Sequence, residues 1–234
     1  MEKRTRHTAG ATNGSESKGG FFGGNRTRMA TTVLALLIAL GLGFQIIARR
    51  DELVTAPTVA KVTDCDRLAA HPSDTQKLSP GVEQPKVDIP AAKKACHAAL
   101  TASPGDGRIL YQLGRSYFYN DEKDQGIAYF KQSDTAGYAQ GQFVLGLIYS
   151  QGNGIEPDMC EAGRLWVKAA RQRHLYSKIF LANNWMDGLF ADCALEITEQ
   201  ELDGMVSQAA ELADTQNRQD DVAMLRENWD KRKR

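Results

Sequence analysis

Two patterns of apolar residues divide the chain. The first is a run from Met29 to Ala48 that contains no charged side chain and only Thr31, Thr32 and Gln45 as polar ones. An α-helix rises about 1.5 Å per residue, so about 20 residues cross the roughly 30 Å hydrocarbon core of a bilayer. The second pattern starts near Ala91, where apolar residues recur three or four positions apart, which is the spacing of one face of a helix. The sequence therefore predicts a transmembrane helix over residues 29–48 and an all-α domain over residues 91–215.

The helical region contains an internal repeat. A triplet of residues occurs three times, at intervals of 32 and 36 residues. It consists of a large apolar residue, a small residue directly after it and an aromatic residue four positions after the first. Small residues allow two helices to approach closely, and large residues fill the space between them. A period of this length is typical of an α-helical solenoid, in which each helix pair packs on the next. The triplets are Leu113, Gly114 and Tyr117; Leu145, Gly146 and Tyr149; and Leu181, Ala182 and Trp185.

The second repeat, Ala139–His174, carries a longer motif, in which the chain resembles the Sel1-like repeat family, a relative of the TPR repeats. The matching residues are Leu145, Gly146, Tyr149, Gly152, Gly154, Ile155, Asp158, Ala162, Ala169 and Ala170. The preceding unit lacks the Gly-x-Gly insertion, and the following unit departs from the pattern after Gly188. The resemblance implies a short right-handed α-solenoid of Sel1/TPR-like helix pairs that binds proteins through its surface.

The segments beside the repeats carry weaker signals. Residues 49–90 are expected to form a linker and an irregular lead-in, because prolines interrupt anything longer than one or two helical turns near Cys65. Residues 91–102 predict a helix that forms half a unit before the repeats. A capping-box spacing from Thr198 to Glu201 predicts the start of another helix. Residues 216–234 are expected to form a capping helix, placed near Asp220–Lys231, and a basic tail.

The distribution of charge predicts the orientation of the apolar run. The chain has a formal net charge of zero, so its composition gives no reason to expect nucleic-acid binding. Residues 1–28 contain few large apolar side chains and are expected to be a disordered tail. Because basic flanks stay in the cytoplasm, we expect a single-pass anchor in the inner membrane with the C-terminal domain in the periplasm. A cleaved signal peptide and translation from Met29 are the open alternatives. The basic residues of the tail are Lys3, Arg4, Arg6, Lys18, Arg26 and Arg28.

Four cysteines, Cys65, Cys96, Cys160 and Cys193, occur without any Cys-x-x-Cys pair, so a zinc ribbon is not supported. An even number of cysteines fits disulfides if the compartment is oxidising. We favour the pairs Cys65–Cys96 and Cys160–Cys193. In a solenoid the start of a second helix and the corresponding loop of the next unit lie along one edge, which brings the latter two cysteines close. Four free buried thiols are the alternative.

No combination of residues predicts a catalytic, cofactor or metal site. Gly152 and Gly154 are not followed by the Lys-Ser/Thr of a phosphate-binding loop, and they predict an inter-helix turn with positive φ. Cys96 adjoins His97, but neighbouring residues on a helix do not face each other. The aromatic residue of each triplet is expected in the core.

The sequence therefore predicts a non-catalytic protein-interaction scaffold or adaptor without a cofactor. Its partner would be an unidentified protein held by the solenoid surface at the membrane, and not a nucleic acid. The alternative is a cell-wall-associated envelope protein that binds peptidoglycan or acts as a β-lactam-type hydrolase.

Overall fold

Short helices joined by tight turns follow one another along the folded part of the chain. The computed structural model describes residues 61–233, which contain nine α-helices, one 3-10 helix (Gln84–Lys86) and no strand. The predicted all-α class is therefore confirmed. The helices are α1 (Asp64–Ala69), α2 (Ile89–Ala102), α3 (Gly107–Tyr119), α4 (Lys123–Thr135), α5 (Ala139–Gln151), α6 (Met159–Arg171), α7 (Leu175–Met186), α8 (Glu199–Leu212) and α9 (Gln216–Arg232).

The predicted tail 1–28, the predicted transmembrane helix 29–48 and the first part of the predicted linker lie outside the described residues. Within residues 61–233, no helix combines the length and the apolar character needed to cross a bilayer.

Polar side chains set the starts of the helices. In the first turn of α3, Asp106 accepts hydrogen bonds from the main-chain N–H groups of Arg108 and Ile109, and in α6 Asp158 accepts one from Glu161. Such caps satisfy donors that have no partner within the helix. Thr215 caps α9, which explains why this helix begins at Gln216, four residues before the position that its apolar spacing indicates. Similarly, Asp88 caps α2, which begins at Ile89, ahead of the predicted start.

The helices pack as consecutive antiparallel pairs. Helix α3 packs on α4, α5 on α6 and α7 on α8, and the second helix of each pair also packs on the first helix of the next. Helix α2 packs on α3 in the same way that α4 packs on α5. Helix α2 is therefore equivalent to the second helix of a pair, and it precedes the first complete pair. Helix α9 packs on α7 and α8, in the place of the first helix of a fourth pair.

Glycines of the repeat triplets allow the close approach within a pair. An added Cβ at Gly114 would lie 2.8 Å from Cδ1 of Phe130 in α4, and one at Gly146 would lie 2.4 Å from the indole nitrogen of Trp166 in α6. Non-bonded heavy atoms prefer separations of about 3.5–4.0 Å. Any side chain at these two positions would therefore push the second helix away from the first. Ala182 fills the third such position and is fully buried.

The third pair differs from the first two because residues 187–198 form a long loop between α7 and α8. This loop packs against α6, where an added Cβ at Gly163 would meet Phe190 at 2.8 Å and Leu195 at 3.0 Å. The departure of the sequence from the repeat pattern after Gly188 thus corresponds to a different connection, which covers the surface of the preceding pair.

The lead-in, residues 61–88, is bound tightly to α3. Asp66 in α1 is fully buried and accepts hydrogen bonds from the guanidinium of Arg108 and from Gln112 Nε2, the latter at 3.0 Å. Its other oxygen accepts the main-chain N–H of Thr63 at 2.7 Å, within a capping box that begins α1. The carboxylate and the 7% exposed Arg108 form a buried ion pair, so the lead-in belongs to the folded unit.

We predict that Asp66→Ala lowers the free energy of unfolding by about 3–5 kcal/mol, because it removes the buried carboxylate that accepts from Arg108 and Gln112. Arg108 then keeps only its partly exposed partner Asp106, at 3.2 Å. Asp64→Ala, which removes the exposed partner of Arg67, is the control and should cost about 0–1 kcal/mol. Chemical denaturation of the disulfide-intact chain, followed by circular dichroism, measures both. Equal losses for the two variants would show that the lead-in is not held by this pair.

Candidate functional site

A groove of about 390 Å³ lies along the first helices of the pairs. Its walls come from α3 and α5, with Tyr176 of α7 and residues of the lead-in closing the sides. Aromatic and aliphatic side chains dominate the lining. These apolar residues are Tyr111, Phe118, Tyr119, Phe130, Phe143, Val144, Leu147, Ile148 and Tyr176.

The groove follows the register of the repeat. We count positions from the leucine that begins each repeat triplet, Leu113 in α3 and Leu145 in α5. In both helices the groove is lined by the residues two positions before, two after and six after this leucine. Positions three to four apart share a helix face, so the repeat places one stripe of each first helix in the groove. These residues are Tyr111, Arg115 and Tyr119 on α3, and Phe143, Leu147 and Gln151 on α5.

Arg115 fixes the lead-in as one wall of the groove. Its Nη1 donates to the main-chain oxygens of Ala69 and Ala70, both at 2.9 Å, and its Nη2 donates to the oxygen of Val82 at 2.5 Å. Its Nε donates to the hydroxyl of Tyr119 at 2.9 Å. Because the guanidinium faces these oxygens and the residue is 2% exposed, it is not available to an anionic ligand.

His71 adds a neutral polar group to the same wall. Its Nδ1 accepts the main-chain N–H of Ser73 at 3.1 Å, so the neutral ring carries its proton on Nε2. Burial, with smaller contributions from Arg115 and Lys77, lowers the pKa of His71 from 6.5 to about 4. At neutral pH the groove therefore offers apolar surface and neutral hydrogen-bonding groups without a free charge.

Two further contacts hold the lead-in against later helices. The hydroxyl of Tyr138, the N-cap residue of α5, donates to Asp74 Oδ2 at 2.5 Å. Asp74 is fully buried, and this burial raises its pKa although the Tyr138 hydrogen bond acts in the opposite direction. Arg218 of α9 donates to the main-chain oxygen of Ser73 at 3.3 Å. The lead-in thus contacts α3, the start of α5 and α9.

His174 joins α5 to α7 beside the groove. Its Nδ1 accepts the main-chain N–H of Ser177 at 3.1 Å, so Nε2 carries the proton and donates to Gln140 Oε1 at 2.9 Å. Burial, with a smaller contribution from Arg218, lowers the pKa of His174 from 6.5 to about 4. Protonation of Nδ1 would replace this acceptor by a donor that faces an N–H group, so the folded state holds the neutral ring.

The repeat residues singled out from the sequence occupy core and turn positions outside the groove lining. The buried ones are Leu113, Gly114, Leu145, Gly146, Ala162, Ala169, Ala170, Leu181 and Ala182. The aromatic ones, Tyr117, Tyr149 and Trp185, are half-buried and pack against the core. The turn glycines have positive φ: Gly152 at 63°, Gly154 at 84° and Gly188 at 74°. Asp158 caps α6.

The structure joins the two cysteine pairs that the sequence favours. Cys65 in α1 bonds to Cys96 in α2 with a Cα–Cα distance of 4.5 Å, and Cys160 in α6 bonds to Cys193 in the loop after α7 at 5.2 Å. Because Cys96 is in a disulfide, it has no thiol to act as a nucleophile beside His97, whose Nε2 instead lies 2.9 Å from the hydroxyl of Tyr117. Within residues 61–233 no group of three or more His, Cys, Asp or Glu side chains is placed to hold a metal ion.

Sequence reasoning did not single out Arg115, His71 or Asp74. One signal for Arg115 is present in the repeat, because the same register position is the apolar Leu147 in the next unit. A charged residue at that position indicates a partner outside the repeat. His71 and Asp74 lie in the irregular lead-in, where no periodicity predicts their contacts.

Comparison with solved structures finds the crystal structure of a Sel1 repeat protein from Oxalobacter formigenes, with 17% sequence identity and a TM-score of 0.45, covering 56% of this chain and 98% of that chain. No family model matches the chain. No curated protein matches it either. The helix pairs of the chain and the small residues at their contacts fit the Sel1-like repeat pattern that the sequence resembles.

We predict that the free energy of unfolding falls as the pH is lowered from about 6.5 to about 4, partly through His174. The unfolded chain binds a proton on this residue near pH 6.5, whereas the folded chain does so only near pH 4. The stability present above this window is therefore lost within it, by up to about 3 kcal/mol.

The matched variant is His174→Asn, which keeps an N-cap acceptor but does not titrate. Urea denaturation at a series of pH values should give a flatter stability profile for this variant than for the wild type. Parallel profiles would show that His174 is not the titrating group.

Proposed function

We propose that this chain is a non-catalytic scaffold, in which a right-handed solenoid of Sel1/TPR-like helix pairs holds a segment of a partner protein at the inner membrane. The observation that carries this proposal is the groove along α3 and α5, whose lining repeats in register with the helix pairs. Extended concave surfaces of this origin bind peptides and protein segments in repeat proteins.

The chemistry of the groove suits a protein segment with apolar side chains. Val144 and Leu147 of α5 and Phe118 of α3 are only half-buried, so part of their apolar surface stays in water. Burial of such surface contributes roughly 25 cal/mol per Å². The donors of Arg115 are already directed at protein oxygens, and His71 is neutral at neutral pH. A charged segment would therefore lose hydration here without gaining an ionic partner.

The proposed location rests on the sequence and on the disulfides. An uncharged run over residues 29–48 has the length of a single-pass anchor, and the basic excess before it favours a cytoplasmic N-terminus. The repeat domain would then lie in the periplasm, where disulfides form and persist. The two bonded cysteine pairs fit that compartment.

We predict that the chain isolated from its cells, with free thiols blocked at lysis, contains both Cys65–Cys96 and Cys160–Cys193. Non-reducing peptide mapping by mass spectrometry identifies the linked peptides. A periplasmic domain is oxidised before lysis, whereas a cytosolic one stays reduced. Recovery of four alkylated cysteines would contradict the periplasmic location.

We predict that a photo-crosslinking amino acid at Leu147 of the full-length chain captures a specific protein in its cells. The same amino acid at Gln132, which is exposed on α4 outside the groove, is the control. After the captured protein is identified, Leu147→Asp should weaken its binding to the purified full-length chain at least about tenfold, because a charge would be desolvated against apolar groups. Gln132→Asp should leave the affinity unchanged.

Equal capture at the two positions, or no captured protein, would contradict the scaffold proposal. Capture of glycan strands at Leu147 would favour the cell-wall alternative. Melting curves of both variants exclude loss of fold as the cause of weaker binding.

A further inference from the structure

A second groove, of about 540 Å³, lies between α7 and α9. It is lined by Ile179, Asn183 and Asp187, which are the residues two positions before, two after and six after the triplet leucine Leu181. The same three register positions line the first groove on α3 and α5. The second groove is therefore lined by the same register positions of α7 that line the first groove on α3 and α5.

The chemistry of the stripe changes at the third pair. On α5 the three register positions carry Phe143, Leu147 and Gln151. On α7 they carry Ile179, Asn183 and Asp187, so the second position changes from aliphatic to amide and the third from amide to carboxylate. Helix α9 faces α7 across the groove with side chains one turn apart. These are Asp221, Met224 and Asn228.

Two carboxylates in this groove are free to meet a cation. Neither Asp187 nor Asp221 forms an ion pair with any residue from 61 to 233, whereas the cations on the same rim are paired, Lys231 with Glu227 and Arg232 with Glu199. Asp187 is also the C-cap residue of α7. The negative end of a helix dipole lies there and adds to the attraction for a positive charge.

The rest of the lining suits the aliphatic stem of a long basic side chain. Met224 is 59% exposed, although it is a large apolar residue, and Ile179 forms part of the buried floor. Lysine and arginine cover apolar surface with their stems while the charged head meets a polar group. The amides of Asn183 and Asn228 offer both donors and acceptors, which can bond the main chain of an extended segment.

We propose that the groove between α7 and α9 binds a lysine or arginine side chain of the same partner segment whose apolar residues lie along α3 and α5. This inference rests on the proposed scaffold function and specifies the chemistry of its ligand. The carboxylates of Asp187 and Asp221 select the cation, and Met224 contacts its stem. The ligand is thus an extended segment with apolar residues at one end and a basic residue at the other.

The test uses a positional-scanning library of acetylated, amidated decapeptides and the full-length chain in lipid nanodiscs. The library should enrich arginine or lysine at one position and apolar residues at others. The best arginine peptide is then compared with its citrulline analogue, which keeps the shape and loses the charge. We expect the arginine peptide to bind about tenfold more tightly, as two partly exposed ion pairs allow, and to lose this advantage in high salt.

The decisive variant is Asp187→Asn with Asp221→Asn, which should make the two peptides bind equally. Its matched control is Asp192→Asn with Asp230→Asn, which removes two exposed carboxylates outside the groove and should preserve the tenfold difference within error.

Three results would overturn the inference. Enriched peptides without a basic preference, whose binding is still lost in Leu147→Asp, would leave the scaffold function standing and refute the cation site alone. If the double variant of Asp187 and Asp221 kept the preference for a basic peptide, the binding site of the basic side chain would lie outside this groove. A library that yields no bound peptide would refute the scaffold function and this inference together.

Discussion

The groove depends on the attachment of the lead-in to α3, because the lead-in forms one wall of the groove and this attachment holds that wall in place. Arg115 of α3 is buried and donates to the main-chain oxygens of Ala69, Ala70 and Val82. Nearer the start of α3, Arg108 and Gln112 donate hydrogen bonds to the carboxylate of Asp66. A buried charge costs several kcal/mol unless its hydrogen-bonding groups are satisfied. Detachment of the lead-in from α3 would break the Arg115 hydrogen bonds to three main-chain oxygens and the Asp66–Arg108 ion pair together.

The repeat register supplies the other walls. Packing uses the triplet positions, where glycine or alanine lets the second helix approach and leucine fills the core. The positions two before, two after and six after that leucine lie on a different stripe of each first helix, which lines the two grooves. Because the contact within a helix pair uses the triplet positions, the groove-lining positions differ between the pairs. The third of them is Tyr119 on α3, Gln151 on α5 and Asp187 on α7.

The parts of the structure that the sequence predicts are those governed by local periodicity. The helix pairs follow from apolar spacing, and the turn after α5 follows from Gly152 and Gly154, which adopt the positive φ that favours glycine. The lead-in contacts could not be predicted in this way, because Arg115 and its acceptors lie 33 to 46 residues apart with no periodic relation. The groove-lining positions are not predicted by the repeat for a different reason. The residues at these positions differ from one helix pair to the next, whereas a repeat is recognised in a sequence by the similar residues at its packing positions.

The two disulfides lie where the repeat packing is absent. Cys65–Cys96 fastens the lead-in to α2, and Cys160–Cys193 fastens the long loop after α7 to α6. Ordering an irregular segment costs about 1–2 kcal/mol per residue in backbone entropy, and these two segments lack the repeated helix-pair interface that offsets this cost elsewhere. A cross-link between residues about 30 apart contributes roughly 3–4 kcal/mol by restricting the unfolded chain. Each covalent bond therefore stabilises a segment that covers an end or a flank of the array.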